Sequence, residues 1–337
     1  MKRIVIALLI LALAVLPAFA GGNRQAQQAA GQQQIKIGIA VPTADHGWTG
    51  GVGWWADFKV EELKKQHPNI QFNVVHSANA TQQVTDVENL AAWGMNYLVI
   101  LPHESGPLTQ PVKGYAARGV RCIVVDRGLE DTNFGYVNLA GDNPGMGRMS
   151  GQWLRDTMKA EGLTNYVAMG GMPVVIDGER MNAFFAEMNR EPSLVNLLGG
   201  NRYEFANWST QDGLRIMETF LQQYPKIDAV FCQDDDVLTG VMQAIREARR
   251  DDIKIVLGGA GSKAVYQMIL NNDPRVRATA TYHPSMIADG IQYAVDVALG
   301  TKSADFASAS RPITVVIPSE LVTIRNVQQH FNPNSSF

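Results

Sequence analysis

From Ile35 onward, short runs of branched and aromatic residues alternate with longer stretches whose apolar positions recur every three or four residues. IKIGIAV (35–41), QFNVVHS (71–77), NYLVILP (96–102) and VRCIVVD (120–126) read as buried strands. Between them, WWADFKVEELKKQ (54–66), TQQVTDVENLAAWG (81–94) and LTQPVKGYAARG (108–119) read as helices. In the second of these, Val84, Val87, Leu90 and Ala91 share one face and Gly94 stops the helix. Strands that alternate with helices at this pitch build a parallel sheet with right-handed crossovers. The pattern then restarts with NYVAMGG (165–171), YEFANW (203–208), AVFCQDD (229–235), IKIVLGG (253–259) and VRATATY (276–282), again with amphipathic stretches between. Two successive series predict an α/β chain of two Rossmann-like parallel-sheet lobes, with FGYVNLA (134–140) as a strand crossing between them.

The first thirty-four residues do not fit this pattern. Lys2 and Arg3, an apolar run from Ile4 to Leu16 and the small-residue end Pro17-Ala18-Phe19-Ala20 form the three parts of a secretory signal peptide, with cleavage expected after Ala20. The run is too short to span a bilayer core of about 30 Å. Residues 21–34 (GGNRQAQQAAGQQQ) have nothing to bury and read as a flexible leader. The expected product is periplasmic or otherwise extracytoplasmic, soluble and monomeric.

Composition then narrows the function. Lys plus Arg total 29 against 32 Asp plus Glu, a net charge of -3 that loss of Lys2 and Arg3 makes more acidic. A groove that neutralises many phosphates needs a basic excess, so nucleic-acid binding is disfavoured. Cys122 and Cys232 each sit inside a strand pattern and read as buried free thiols. The six histidines lack zinc spacing, the Asp234-Asp235-Asp236 run lacks the calcium-loop pattern, and there is no G-x-S-x-G nucleophile elbow. No cofactor, no metal and no enzyme activity are expected. Gly145-Met-Gly147-Arg-Met-Ser150-Gly151 imitates a dinucleotide fingerprint but lacks its third glycine in register, and close helix–strand packing accounts for it better.

In open parallel sheets, ligands bind outside the carboxyl ends of the strands. Asp45, His46, Trp48 and Thr49 follow the first strand and His103 the third; Asp126 and Arg127 close the fourth, and Asn143 follows the crossing strand. Trp208, Asp234 with Asp235, and Tyr282 end strands of the second series. Carboxylates accept, guanidinium groups donate and aromatic faces cover C–H surfaces, which together suit a small polyhydroxylated ligand. Trp48 and Trp208, read as loop residues in different lobes, could sandwich a ring.

IGIAVPTADHGW, CIVVDRG, AGDN, GERMNAF, AVFCQDDDVLTG and RATATYHPSMIADGI occur in that order between Ile35 and Val327. With these motifs the chain resembles the periplasmic sugar-binding proteins of the ribose-binding type, which feed ABC transporters. The resemblance implies lobes of residues 35–141 plus 283–318 and 142–282 plus 319–332, joined by three hinge crossings and closing over one sugar or polyol. It implies ligand contacts from His46, Trp48, Asp126, Arg127, Asn143, Trp208, Asp234 and Tyr282, and a membrane permease as partner. Asp177-Gly178 stands where an arginine is common, Ala260 where an aspartate is common, and Tyr282 where an amide is common. These departures turn the expectation away from ribose itself, and Arg180 reads as structural. A receptor for a chemotaxis or sensor-kinase partner needs the same closure, and a secreted glycoside hydrolase is the remaining alternative. A regulator of the same fold would need a helix-turn-helix where the signal peptide stands.

Overall fold

The computed structural model describes residues 34–44, 47–193, 195–200 and 202–337. The expected signal peptide, the expected leader up to residue 33, and Asp45 and His46 lie outside the described residues. The first series forms β1 (Ile35–Pro42), α1 (Gly47–Gln66), β2 (Ile70–Ser77), α2 (Ala80–Trp93), β3 (Tyr97–Ile100), α3 (Ser105–Ala117), β4 (Arg121–Val125) and β5 (Val137–Gly141). The second forms α4 (Asn143–Glu161), β6 (Asn165–Gly170), α5 (Val175–Met188), β7 (Asn196–Leu197), β8 (Glu204–Phe205), α6 (Thr210–Gln223), β9 (Ala229–Cys232), α7 (Asp235–Ala248), β10 (Ile255–Ala260), α8 (Lys263–Leu270) and β11 (Ala278–Thr281). The chain closes with α9 (Met286–Ala298), β12 (Ile313–Ile317), β13 (Leu321–Thr323) and α10 (Val327–His330).

Among the described residues these strands make two sheets. The first runs β12-β5-β4-β3-β1-β2 and is parallel throughout. The second runs β13-β11-β10-β9-β6-β7, with β8 also on β6, and only β13 is antiparallel. Alternate residues of each strand enter different cores, as a period of two requires. Ile37 and Ile39 meet α9 residues such as Ile287 and Ile291 in one cluster, while Ala40, Leu98 and Ile100 meet Val87 and Leu90 of α2 in another. Burial on both faces accounts for the near-continuous apolar runs of the central strands.

Several boundaries depart from the sequence pattern. FGYVNLA contributes β5, which lies inside the first sheet between β4 and β12. YEFANW shrinks to β8 because Asn207 and Trp208 turn to positive φ, 51° each. Helix α1 begins at Gly47, seven residues before the predicted start, so Trp48 and Thr49 lie in its first turn and not in a loop. Its glycines weaken the local helix signal, but Trp48, Val52, Ala56, Val60 and Leu63 form a buried face that packs on α9 and β1. Helix α4 starts at Asn143, where Asp142 accepts from Gly145 N at 2.7 Å as its N-cap. A Cβ on Gly147 would fall 2.1 Å from the Arg180 carbonyl oxygen. The close packing behind the G-M-G pattern is thus helix on helix, α4 against α5, and not helix on strand.

The chain passes between the sheets after β5, after β11 and between β12 and β13. These crossings brace one another: Asp142 N donates to Ile317 O at 3.0 Å and Thr281 N to Glu320 O at 2.8 Å. The tail then returns. Phe331 packs on the second core, Lys263 Nζ donates to Ser335 O, and Phe337, 4% exposed, is buried in the first core beside His283. Cys122 and Cys232 are buried free thiols, one in each sheet. Burial pushes the Cys122 thiol up to about 12, which makes it a poor nucleophile.

Candidate functional site

The strand ends of the two sheets meet in a cleft that is partly open to solvent. Its walls are Trp48, Asp126, Arg127, Ile176, Arg180, Trp208, Asp234, Ala260 and Tyr282. Asp126 follows β4, Asp234 follows β9, Ala260 ends β10 and Tyr282 follows β11, so each is carried by the carboxyl end of a parallel strand. Among the described non-glycine residues, six have positive φ, and three of them line this cleft: Asp126 (62°), Trp208 (51°) and Ala260 (82°). Such conformations cost about 1–3 kcal/mol each and persist where surrounding structure enforces them.

Tyr282 is the centre of the arrangement. Its hydroxyl donates to Asp126 Oδ1 at 2.6 Å, reaching from the second crossing to the first sheet. Its carbonyl accepts from Trp48 Nε1 at 2.7 Å, and the Arg180 guanidinium lies 4.2 Å from its ring centroid. Gly141 leaves room for that ring: a Cβ there would fall 2.2 Å from Tyr282 Cε2. Burial, with the Asp126 charge second, pushes the phenol well above its ordinary range, so it remains a donor.

The charged groups are held from outside the cleft. Arg127 donates to the His103 carbonyl at 2.5 Å and lies 3.8 Å from Asp126 Oδ2. Arg180 Nε donates to Asn143 Oδ1 at 2.8 Å. Asp234 accepts from Asp236 N at 2.8 Å as the N-cap of α7. Burial first, then the neighbouring Asp236 and Asp235 carboxylates, push the Asp234 carboxyl well above the usual carboxylate range. Trp208 Nε1 donates to Gln233 Oε1 at 3.1 Å.

Of the residues expected from sequence, the cleft brings together Trp48, Asp126, Arg127, Trp208, Asp234 and Tyr282. Asn143 and His103 stand behind it and position Arg180 and Arg127. Thr49 is buried at 1% exposure in α1, outside the cleft lining. Asp235 also departs from the expectation. It is fully buried, and its carboxylate accepts from Gly261 N, Ser262 N and Thr279 Oγ1, tying β10 and β11 to α7. Asp45 and His46 lie outside the described residues.

Arg180, expected to be structural, lines the cleft instead, as do Ile176 and Ala260. Ile176 and Arg180 are four residues apart near the start of α5 and share a helix face. That spacing, directly after a strand of the second series, was the available signal. Among the described residues, no three His, Cys, Asp or Glu side chains are grouped to hold a metal ion.

Known proteins are similar to this chain in sequence and fold. The D-apiose import binding protein of Paraburkholderia graminis is 25% identical over 254 residues, covering 75% of this chain and 77% of the relative. The ribose import binding protein of Bacillus subtilis is 26% identical over 258 residues, covering 76% and 79%. The fold matches that of an ABC transporter solute-binding protein from Bacillus halodurans solved with bound myo-inositol, with a TM-score of 0.71 and 19% identity, covering 89% of this chain and 98% of that one. The family model described as periplasmic binding protein domain matches residues 37–302, and with most of its length inside that match the chain belongs to this family.

Proposed function

We propose that the protein captures one small sugar or polyol in this cleft and delivers it to an ABC importer, as a binding component without catalysis of its own. The observation that carries the reading is the division of labour in the lining. Asp126 and Asp234 can accept from hydroxyls, while Arg127 and Arg180 can only donate. Both indole N–H groups are spent on protein acceptors, Trp48 on Tyr282 O and Trp208 on Gln233 Oε1. The two tryptophans therefore offer faces, suited to the C–H surface of a ring, and leave hydroxyl recognition to the charged groups.

Residues 35–141 plus 283–318 and residues 142–282 plus 319–332 act as two lobes that close about the three crossings. Closure shifts a pre-existing equilibrium toward the state in which both walls contact the ligand. The basic, apolar and small-residue parts of residues 2–20 direct export, in keeping with the periplasmic setting of the family.

The test is a thermal-shift series on the exported form with D-apiose, D-ribose, D-xylose, D-allose, xylitol and myo-inositol, followed by calorimetry on any that bind. A ligand at 100 times its Kd adds about 2.7 kcal/mol to apparent stability. A panel that leaves Tm unmoved at millimolar concentration refutes the assignment.

A further inference from the structure

Trp208 sits just before α6, on a turn and not in a helix, and only partly buried. An indole so placed can swing unless something outside the cleft fixes it. The ring lies on the backbone of Gly171, where a Cβ would fall 2.0 Å from indole Cε2 and Nε1. Asn207 N pairs with Gly171 O at 3.0 Å, so the turn and this backbone form one unit. The indole N–H ends on Gln233, a fully buried amide.

An amide can present either its oxygen or its NH2 group to a neighbour, and Asp177 decides which. Asp177 is 1% exposed and is absent from the cleft lining. Its Oδ1 accepts from Gln233 Nε2 at 2.7 Å, which leaves the Gln233 oxygen toward the indole. The same oxygen accepts from Gly171 N at 2.6 Å, and Oδ2 accepts from Tyr203 OH at 2.7 Å. One carboxylate thus holds the amide that Trp208 bonds, the backbone it lies on, and a tyrosine just before its turn.

We propose that Asp177 is a positioning residue of the cleft: through Gln233 and Gly171 it holds the Trp208 ring in a ligand-ready orientation and so sets affinity without touching the ligand. The inference rests on the sugar-binding reading, and its primary readout is independent of any ligand.

The indole 15N–1H cross-peak of Trp208, assigned by its loss in Trp208→Phe, reports the Gln233 bond directly. Asp177→Ala removes the acceptor from Gln233 and Gly171. It is expected to move that peak, speed its exchange with solvent, and weaken binding of D-ribose, D-xylose or myo-inositol about tenfold, the scale of one aromatic contact. Asp177→Asn keeps an acceptor for Gly171 and Gln233 and is expected to restore both properties. A cross-peak unmoved in Asp177→Ala, or an Asn variant as disturbed as the Ala variant, overturns the proposal. If Asp177→Ala does not fold, Gln233→Met cuts the same link, and an unmoved peak there is equally fatal. If no compound of the full panel binds the parent protein, the sugar reading fails while the cross-peak still decides whether Asp177 positions the ring.

Discussion

Replacing Asp126 by Asn is the sharpest probe of the cleft, and the backbone dictates the choice of residue. Asp126 has φ of 62°, a left-handed conformation that Asn adopts more readily than other side chains and that strains Ala. Asn also keeps an oxygen that can accept the Tyr282 hydroxyl, which stands 2.6 Å from Oδ1. The variant therefore removes the charge and one acceptor while leaving the turn after β4 intact. The Asp126 side chain is only 5% exposed, so a ligand hydroxyl bonded there is largely shielded from water. A hydrogen bond to a charged group contributes about 1.5–3 kcal/mol, and each 1.4 kcal/mol is a factor of ten in Kd. Asp126→Asn should thus weaken sugar binding by about 10- to 100-fold, read by isothermal titration calorimetry with the best ligand of the panel. Its Tm without ligand should stay within a few degrees of the parent. Parental affinity at an unchanged Tm would remove Asp126 from the ligand site and with it the reading of the charged lining.

Other consequences follow from particular contacts. Saturating ligand should change intrinsic tryptophan fluorescence, because Trp48 and Trp208 both line the cleft; a spectrum unmoved by a ligand that calorimetry shows to bind contradicts their placement. Truncation after Phe331 removes the buried Phe337 from the first core. Loss of a core Phe costs about 3 kcal/mol, so differential scanning calorimetry should show Tm lower by several degrees, and an unchanged Tm would mean that the tail is not docked in solution. The Arg250 guanidinium, 2.6 Å away, holds the Asp252 carboxyl at about 2, below its ordinary 3.8. Because the folded-state value is depressed, the ionised form stabilises the fold above pH 3.8, and that contribution disappears as pH falls toward 2. Asp252→Asn should then cost about 2 kcal/mol in urea melts at pH 7 and much less near pH 2. Equal losses at both pH values would refute the ion-pair account.

Much of the fold was legible because its signals are local. Runs such as YLVI and AVFC, short, apolar and set between helical patterns, read as strands buried on both faces, and the restart of the pattern after residue 141 marks a second sheet. The misplaced boundaries arose where packing overrode local preference. Gly47 to Gly53 contains four glycines and reads as a loop, yet it is helical because its small buried face fits against α9. The edge strands β7 and β13 were not drawn, since two or three residues pair only when a sheet edge is already there, whereas β12, ITVVI, is a branched run that reads as a strand by the same rule and was passed over.

The site divides along the same line. The order of residues along the chain determined which side chains stand at carboxyl ends of parallel strands, and so nominated Asp126, Arg127, Trp208, Asp234 and Tyr282. That information is local, because it needs only the period of two and the turn that follows. Which of the nominated side chains share a space was decided by the tertiary structure alone. Asp234 and Asp235 are neighbours in sequence, yet one lines the cleft and the other is taken by β10 and β11. Arg180 reads as an ordinary helical arginine until the close approach of α4 and α5 sets it against Asn143 and over Tyr282. Contacts of this kind join residues 37 to 102 positions apart, and no local periodicity encodes the packing of two helices and a hinge that brings them together.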